Sequence, residues 1–202
     1  MHKNFQEFFS GFYLASKILS GELDCDAVVT NGRYLDELKQ AFLFMTGIVV
    51  SRCEETAVYL VKTIAARINN DSHLRRNLEF AFDCIEECAT HKKNLQWQLL
   101  HTFGSHLNIT ALHLGGYGQL NFGYFFEALT VNTTVTNLNL SVKEIDDSGV
   151  GYISDAIKVN TVLTNLDLSF SNIGASGAGS LSDAIKVNTV LTNFGFELYR
   201  DW

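Results

Sequence analysis

Cys84, Cys88 and His91 stand at i, i+4 and i+7 of a segment with helical periodicity, so all three side chains can point one way and offer soft ligands to zinc. Three ligands on one helix rarely complete a site. Thiols at this spacing also serve as small buried apolar groups, with His91 at a solvated helix end. Gly115, Gly116 and Gly118 suggest a phosphate-cradling loop, but no Lys follows at the required distance and no G-x-x-x-x-G-K-[ST] occurs anywhere. No G-x-S-x-G, H-E-x-x-H or Cys-His family signature is present either. These residues predict no catalysis, no cofactor and no metal site, and the glycines read as a turn.

The remaining candidates are polar residues that recur. Asn137, Asn139 and Ser141 alternate with apolar neighbours, and so do Asn165, Asp167 and Ser169 one period later. On two successive strands this alternation places both sets on one sheet face, where they can hydrogen-bond a ligand. Exposed strand positions are polar whether or not anything binds. This set also lacks the Trp, Tyr and Arg that dominate interface energetics.

What must position that face is a repeat. Residues 132–159 and 160–187 align without gaps at a period of 28, with about 17 positions identical, and a third copy starts at Asn188. Each copy reads N-T-x-x-T-N-[LF]-x-[LF], then a polar turn, and the two complete copies end in S-D-A-I-K-V. The pattern predicts one strand, one loop and one helix per copy. The inward set is Val135, Leu138, Leu140, Ile145, Ile153 and Ile157, and then Leu163, Leu166, Leu168, Ile173, Leu181 and Ile185. A degenerate earlier copy, offset by 26 residues, holds Leu107, Leu112, Leu114, Phe122, Phe126 and Leu129. About three such units are needed for a stable stack. The segment Glu197–Trp202 leaves the pattern, so the last copy lacks its helix.

Residues 1–103 carry helical periodicity instead. Phe5, Phe8, Phe9, Phe12 and Ser16 form a first stripe that is expected to be buried, and Leu35, Leu38, Phe42, Met45 and Val49 form a second. Ala57, Val61, Ile64, Ala65 and Ile68 mark a third helix, which Asn69-Asn70-Asp71-Ser72 stops before capping the next. Leu74, Leu78, Phe82 and Ile85 form the fourth stripe, and Trp97 and Leu100 are the apolar members of a short fifth helix over 95–101. From His106 the composition shifts to Asn, Thr, Gly and Leu, and the domain boundary is placed near Gly104.

The 202 residues are 47% hydrophobic and 18% charged, a globular composition. A net charge of -7 without any basic run argues against nucleic-acid binding. The longest apolar run, Ala41 to Val50, is about half of the ~20 residues that a membrane span needs. Four scattered cysteines without a C-x-x-C pair predict reduced thiols and a cytoplasmic home. The N-x-[ST] sequons at Asn70, Asn108, Asn132 and Asn139 are chance products of an Asn- and Thr-rich sequence.

His2, Phe5-Gln6-Glu7-Phe8-Phe9 and Tyr13-Leu14, followed by helices and then by repeats of ribonuclease-inhibitor type, resemble the C-terminal part of NACHT and leucine-rich-repeat (NLR) receptors. Phe82-Asp83-Cys84-Ile85-Glu86-Glu87 also looks like the helical region of that family. The resemblance implies a NACHT-associated helical domain over 1–103 and leucine-rich repeats over 104–202. The fold class is then α+α/β: an all-helical domain followed by a short right-handed α/β solenoid with a parallel sheet. It further implies an innate-immune segment that senses a ligand or restrains assembly. Its partners would be a protein or an upstream nucleotide-binding domain, with self-association through the parent protein.

Two departures qualify the match. Without a phosphate loop, the chain itself cannot bind ATP in the family manner. The turn position that holds Asn or Cys in ribonuclease-inhibitor-like repeats is occupied by Lys143 and Ser171, so the turn is expected to lack its asparagine and the stack to be marginal. Two other readings remain: a stand-alone repeat scaffold that binds its partner constitutively, and a metal-dependent enzyme built on Cys84, Cys88 and His91.

Overall fold

The computed structural model describes residues 3–30, 37–68, 73–92, 94–115, 120–141 and 145–196. The chain divides into two compact units, Met1–His106 and Leu107–Trp202. The described residues are mostly helical, with a small four-stranded parallel sheet confined to the second unit.

The first unit contains α1 (Lys3–Leu19), α2 (Cys25–Val29), α3 (Lys39–Arg52), α4 (Glu54–Arg67), α5 (Leu74–His91) and α6 (Leu95–His106). Its core is the apolar stripe of α3, α4 and α5: Phe42, Met45, Val49, Leu60, Val61, Leu78 and Ile85 are all sealed from solvent. Phe42 meets Phe80 edge-on at 5.0 Å, and Phe82 meets Phe103 at 5.3 Å. The segment Asn69–Ser72, the start of the second stripe at Leu35, and His2 lie outside the described residues.

Two helices of this unit leave their largest aromatic side chains outside its core. The aromatic stripe of α1 is its outward face: Phe5, Phe8, Phe9 and Phe12 are all exposed, and the helix is buried through Gly11, Ala15 and Ile18. Small residues win because they allow the backbones of α1 and α3 to approach closely. A Cβ on Gly11 would stand 2.5 Å from the carbonyl oxygen of Ala41, which no larger side chain tolerates. In α6, Trp97 is 62% exposed, its ring tilted against that of His101, while Leu95, Leu99, Leu100 and Phe103 form the buried face out to Gly104. The short α2 was not anticipated. Asp24 caps it by accepting the N–H of Asp26 at 3.0 Å, and it buries Cys25 and Val28.

The second unit alternates β1 (Ala111–His113), α7 (Phe122–Val131), β2 (Asn137–Asn139), α8 (Asp147–Val159), β3 (Asn165–Asp167), α9 (Ala175–Val187) and β4 (Asn193–Gly195). The strands pair in chain order, all parallel. Leu112 lies beside Leu138, Leu138 beside Leu166 and Leu166 beside Phe194. The register therefore steps by 26 and then twice by 28, the offsets at which the sequence repeats. Val135, Leu138, Leu140, Ile153, Leu163, Leu166 and Leu168 are buried between sheet and helices. Each contributes roughly 1.5–3 kcal/mol by leaving water. Ile185 and Phe122 are only half-buried, and Phe125 takes the core place in α7.

Candidate functional site

The polar residues of the strands come together on one face of the sheet, half-buried in β2 and β3 and exposed at His113 and Asn193. The inner row is Asn137, Asn165 and Asn193. The side-chain amide of Asn165 donates to Oδ1 of Asn137, and that of Asn193 donates to Oδ1 of Asn165, so the amides run in one direction across three strands. Each of the first two also donates to the hydroxyl of the threonine before it, at 3.0 Å for Thr136 and 2.9 Å for Thr164.

The outer row is His113, Asn139, Asp167 and Gly195, neighbours by strand register. Nδ2 of Asn139 donates to the Asp167 carboxylate at 3.2 Å. Oδ1 of Asn139 accepts the backbone N–H of Ser141 at 3.0 Å and its hydroxyl at 2.7 Å, while Oδ1 of Asp167 accepts the N–H of Ser169 at 2.9 Å. The six predicted residues thus lie in two hydrogen-bonded rows, and the turns after β2 and β3 are held by the strand's own Asn139 or Asp167. A Cβ on Gly195 would stand 2.7 Å from Oδ1 of Asp167, so glycine here leaves room for the carboxylate.

Such a lattice is rigid and polar and carries a carboxylate. Its amide, hydroxyl and carboxylate groups present hydrogen-bond donors and acceptors along the sheet. Sequence reasoning missed Phe170, which follows Ser169 at the end of the outer row. This ring is 45% exposed on a backbone with φ of 60°, a left-handed conformation costly for a bulky side chain. The signal was available, since the aligned position in the degenerate copy is Gly116.

A second missed set locks the repeats together. The leading residues of the copies, Asn132, Asn160 and Asn188, repeat one arrangement. Nδ2 of Asn160 donates to the carbonyls of Leu129 at 2.7 Å and Asn132 at 3.3 Å, and its Oδ1 accepts the N–H groups of Val162 at 2.9 Å and Leu163 at 2.8 Å. Asn188 does the same to Ile157, Asn160, Val190 and Leu191, and Asn132 reaches the carbonyl of Leu107. A buried asparagine ladder thus stands before each strand, apart from the turn position after it where the sequence has no asparagine. Lys143 lies outside the described residues, and the buried hydroxyl of Ser171 has no hydrogen-bond partner among them.

The two complete copies begin their helices differently. Asp146 caps α8 by accepting the N–H of Gly149 at 2.9 Å, and hydrogen bonds from Gly149 and Ser148 hold its carboxyl below the usual range. The aligned residue before α9 is Gly174, and no side chain caps that helix. Asp147, from the preceding copy, accepts the N–H of Gly174 at 2.8 Å and so ties the two copies together.

The cysteine and histidine candidates do not converge. Cys84 and Cys88 are buried on α5, and desolvation pushes the Cys84 thiol well above its ordinary value and the Cys88 thiol up to about 12. Nε2 of His91 lies 3.6 Å from Oε1 of Glu87, and both atoms cover Gly47 of α3. Among the described residues no three His, Cys, Asp or Glu side chains are grouped to hold a metal ion. Gly116 and Gly118 lie outside the described residues. No described helix is long and apolar enough to cross a membrane.

No family model matches the chain, and no curated protein matches it. Among solved structures it is similar to leiomodin-1 actin-binding site 2 (ABS2), at 23% identity and a TM-score of 0.45. That likeness covers 52% of this chain and 61% of the other, less than two thirds of its length.

Proposed function

We propose that residues 107–202 form a short right-handed leucine-rich-repeat solenoid, and that the chain is a non-catalytic protein-binding segment of an NLR-like intracellular receptor. In this reading the first unit is the NACHT-associated helical region, and the polar sheet face senses a ligand or restrains assembly. The observation that carries it is the agreement between the 28-residue sequence period and the 28-residue register of both the strands and the asparagine ladder. Phe170 adds an aromatic contact to a face otherwise made of amides and hydroxyls. The exposed aromatics of α1 also suit a helix that packs against an upstream module.

The test is the transcript read upstream of His2. An in-frame NACHT module with a phosphate loop supports the receptor reading. A start at Met1 with no such module would replace it with the stand-alone scaffold.

A further inference from the structure

Asp167 carries a charge that the fold does not use. Its Oδ1 accepts the N–H of Ser169 at 2.9 Å and so closes the turn after β3. One copy earlier an uncharged side chain makes the same bond, Oδ1 of Asn139 accepting the N–H of Ser141 at 3.0 Å. Neighbouring asparagines also continue a row across the strands, as Asn165 does by donating to Oδ1 of Asn137. An asparagine at 167 would therefore hold both the turn and the row.

An ion pair does not account for the charge either. Asp26, Asp83, Asp155 and Asp183 each hold a Lys or Arg nitrogen within 3.0 Å. Among the described residues no basic side chain pairs with Asp167, although it is half-buried and only partly hydrated. A carboxylate accepts about four hydrogen bonds, and Ser169 and the amide of Asn139 supply two of them. The turn that Asp167 closes then presents Phe170, 45% exposed at a φ of 60°. A glycine would hold that backbone without strain, as Gly116 does at the aligned position by residue type, so the ring is no more required by the turn than the charge is.

From this surplus we infer that Asp167 and Phe170 form a subsite for an arginine side chain of a protein partner. A guanidinium donates two parallel N–H groups to a carboxylate, which matches the remaining acceptor positions of Asp167. Its plane stacks on an aromatic face, which Phe170 offers. It also brings the positive charge that the half-buried carboxylate lacks. Lysine supplies the charge but neither the fork nor the plane, so arginine is the favoured occupant. The inference rests on the reading of the sheet face as the binding face and names the chemistry of what binds there.

The experiment titrates Nα-acetyl-arginine amide into the isotope-labelled full chain and follows the backbone amide resonances by NMR. Saturable shifts are expected at Ser169 and Phe170. The neutral isostere Nα-acetyl-citrulline amide should bind about tenfold more weakly, and Nα-acetyl-lysine amide more weakly than the arginine probe as well. Asp167→Asn should lose about tenfold in arginine binding with the rest of the spectrum in place. Phe170→Gly should weaken binding about threefold yet raise the thermal midpoint, a pairing that a merely structural ring would not give. Absence of saturable shifts, equal binding of the citrulline or lysine probe, or an equal loss on Asp155→Asn overturns the inference. The repeat reading fails on a different result, an Asn160→Ala chain as stable as the unmutated one.

Discussion

The side-chain amide of Asn160 donates to the carbonyl oxygen of Leu129 at 2.7 Å, across the seam between two repeats, while its own carbonyl oxygen accepts two N–H groups of the turn it begins. A single side chain thus satisfies the end of one helix and the approach to the next strand. Asn160 is 3% exposed, so water cannot take over these bonds.

Asn160→Ala is therefore expected to lower the unfolding free energy by about 2–4 kcal/mol, from several buried groups left unpaired. Urea denaturation followed by circular dichroism measures it. A loss below about 0.5 kcal/mol would mean that the ladder holds nothing together.

Asp147 and Gly177 are predicted to be coupled. A Cβ on Gly177 would stand 2.6 Å from Oδ1 of Asp147 and 2.9 Å from Cγ2 of Ile173, so Gly177→Ala should cost about 1–3 kcal/mol. With Asp147→Ala already present, the first clash is gone and the cost should fall by about 1 kcal/mol. A double-mutant cycle checks this, and strict additivity would contradict it.

Asp146 gives a pH dependence of definite sign. Its carboxyl is held below the ordinary range in the folded state, so its contribution is present above the unfolded value of about 3.9 and is lost as pH falls through the folded one. Asp146→Asn should leave stability at pH 7 nearly unchanged and flatten the decline below about pH 4. An unaltered acid limb in urea titrations at pH 3 to 5 would remove this role.

Thiol chemistry should separate the cysteines. Burial, then the charge of Asp24, pushes the Cys25 thiol up to about 11, and Cys84 and Cys88 are raised as well, whereas Cys53 is half-exposed and donates to Glu55 at 3.3 Å. Iodoacetamide at pH 8 should label Cys53 first, as read by peptide mass spectrometry. The raised values also mean that the stabilisation from the buried neutral thiols is intact below the unfolded value of about 8.5 and is lost as pH rises toward 12. Labelling of Cys84 or Cys88 as fast as Cys53 would contradict the burial.

Much of the second unit was legible in the sequence because a repeat carries its own alignment: Leu138, Leu166 and Phe194 share a period and share a register. The asparagine ladder was visible as the first letter of every copy but was read as motif rather than as a hydrogen-bond donor. At α1 periodicity reports that Phe5, Phe9 and Phe12 share a face but not that the face with Gly11 and Ala15 is the one this unit covers. Close backbone approach is set by the smallest side chains, and hydrophobic patterning weights the largest. The hydrogen bond from Gly174 to Asp147 joins residues 27 apart and has no local signature.

The most direct test is amide hydrogen exchange at Leu163, whose N–H is donated to the side chain of Asn160 rather than to a strand partner. Slow exchange is expected for Leu163 and Val135 in the native chain. In Asn160→Ala, Leu163 should speed up by more than the global loss of stability explains, while Val135, held by Asn132, tracks only that loss. Exchange of Leu163 at the rate of an unprotected loop amide in the unmutated chain would contradict the interlocked repeat on which the whole reading stands.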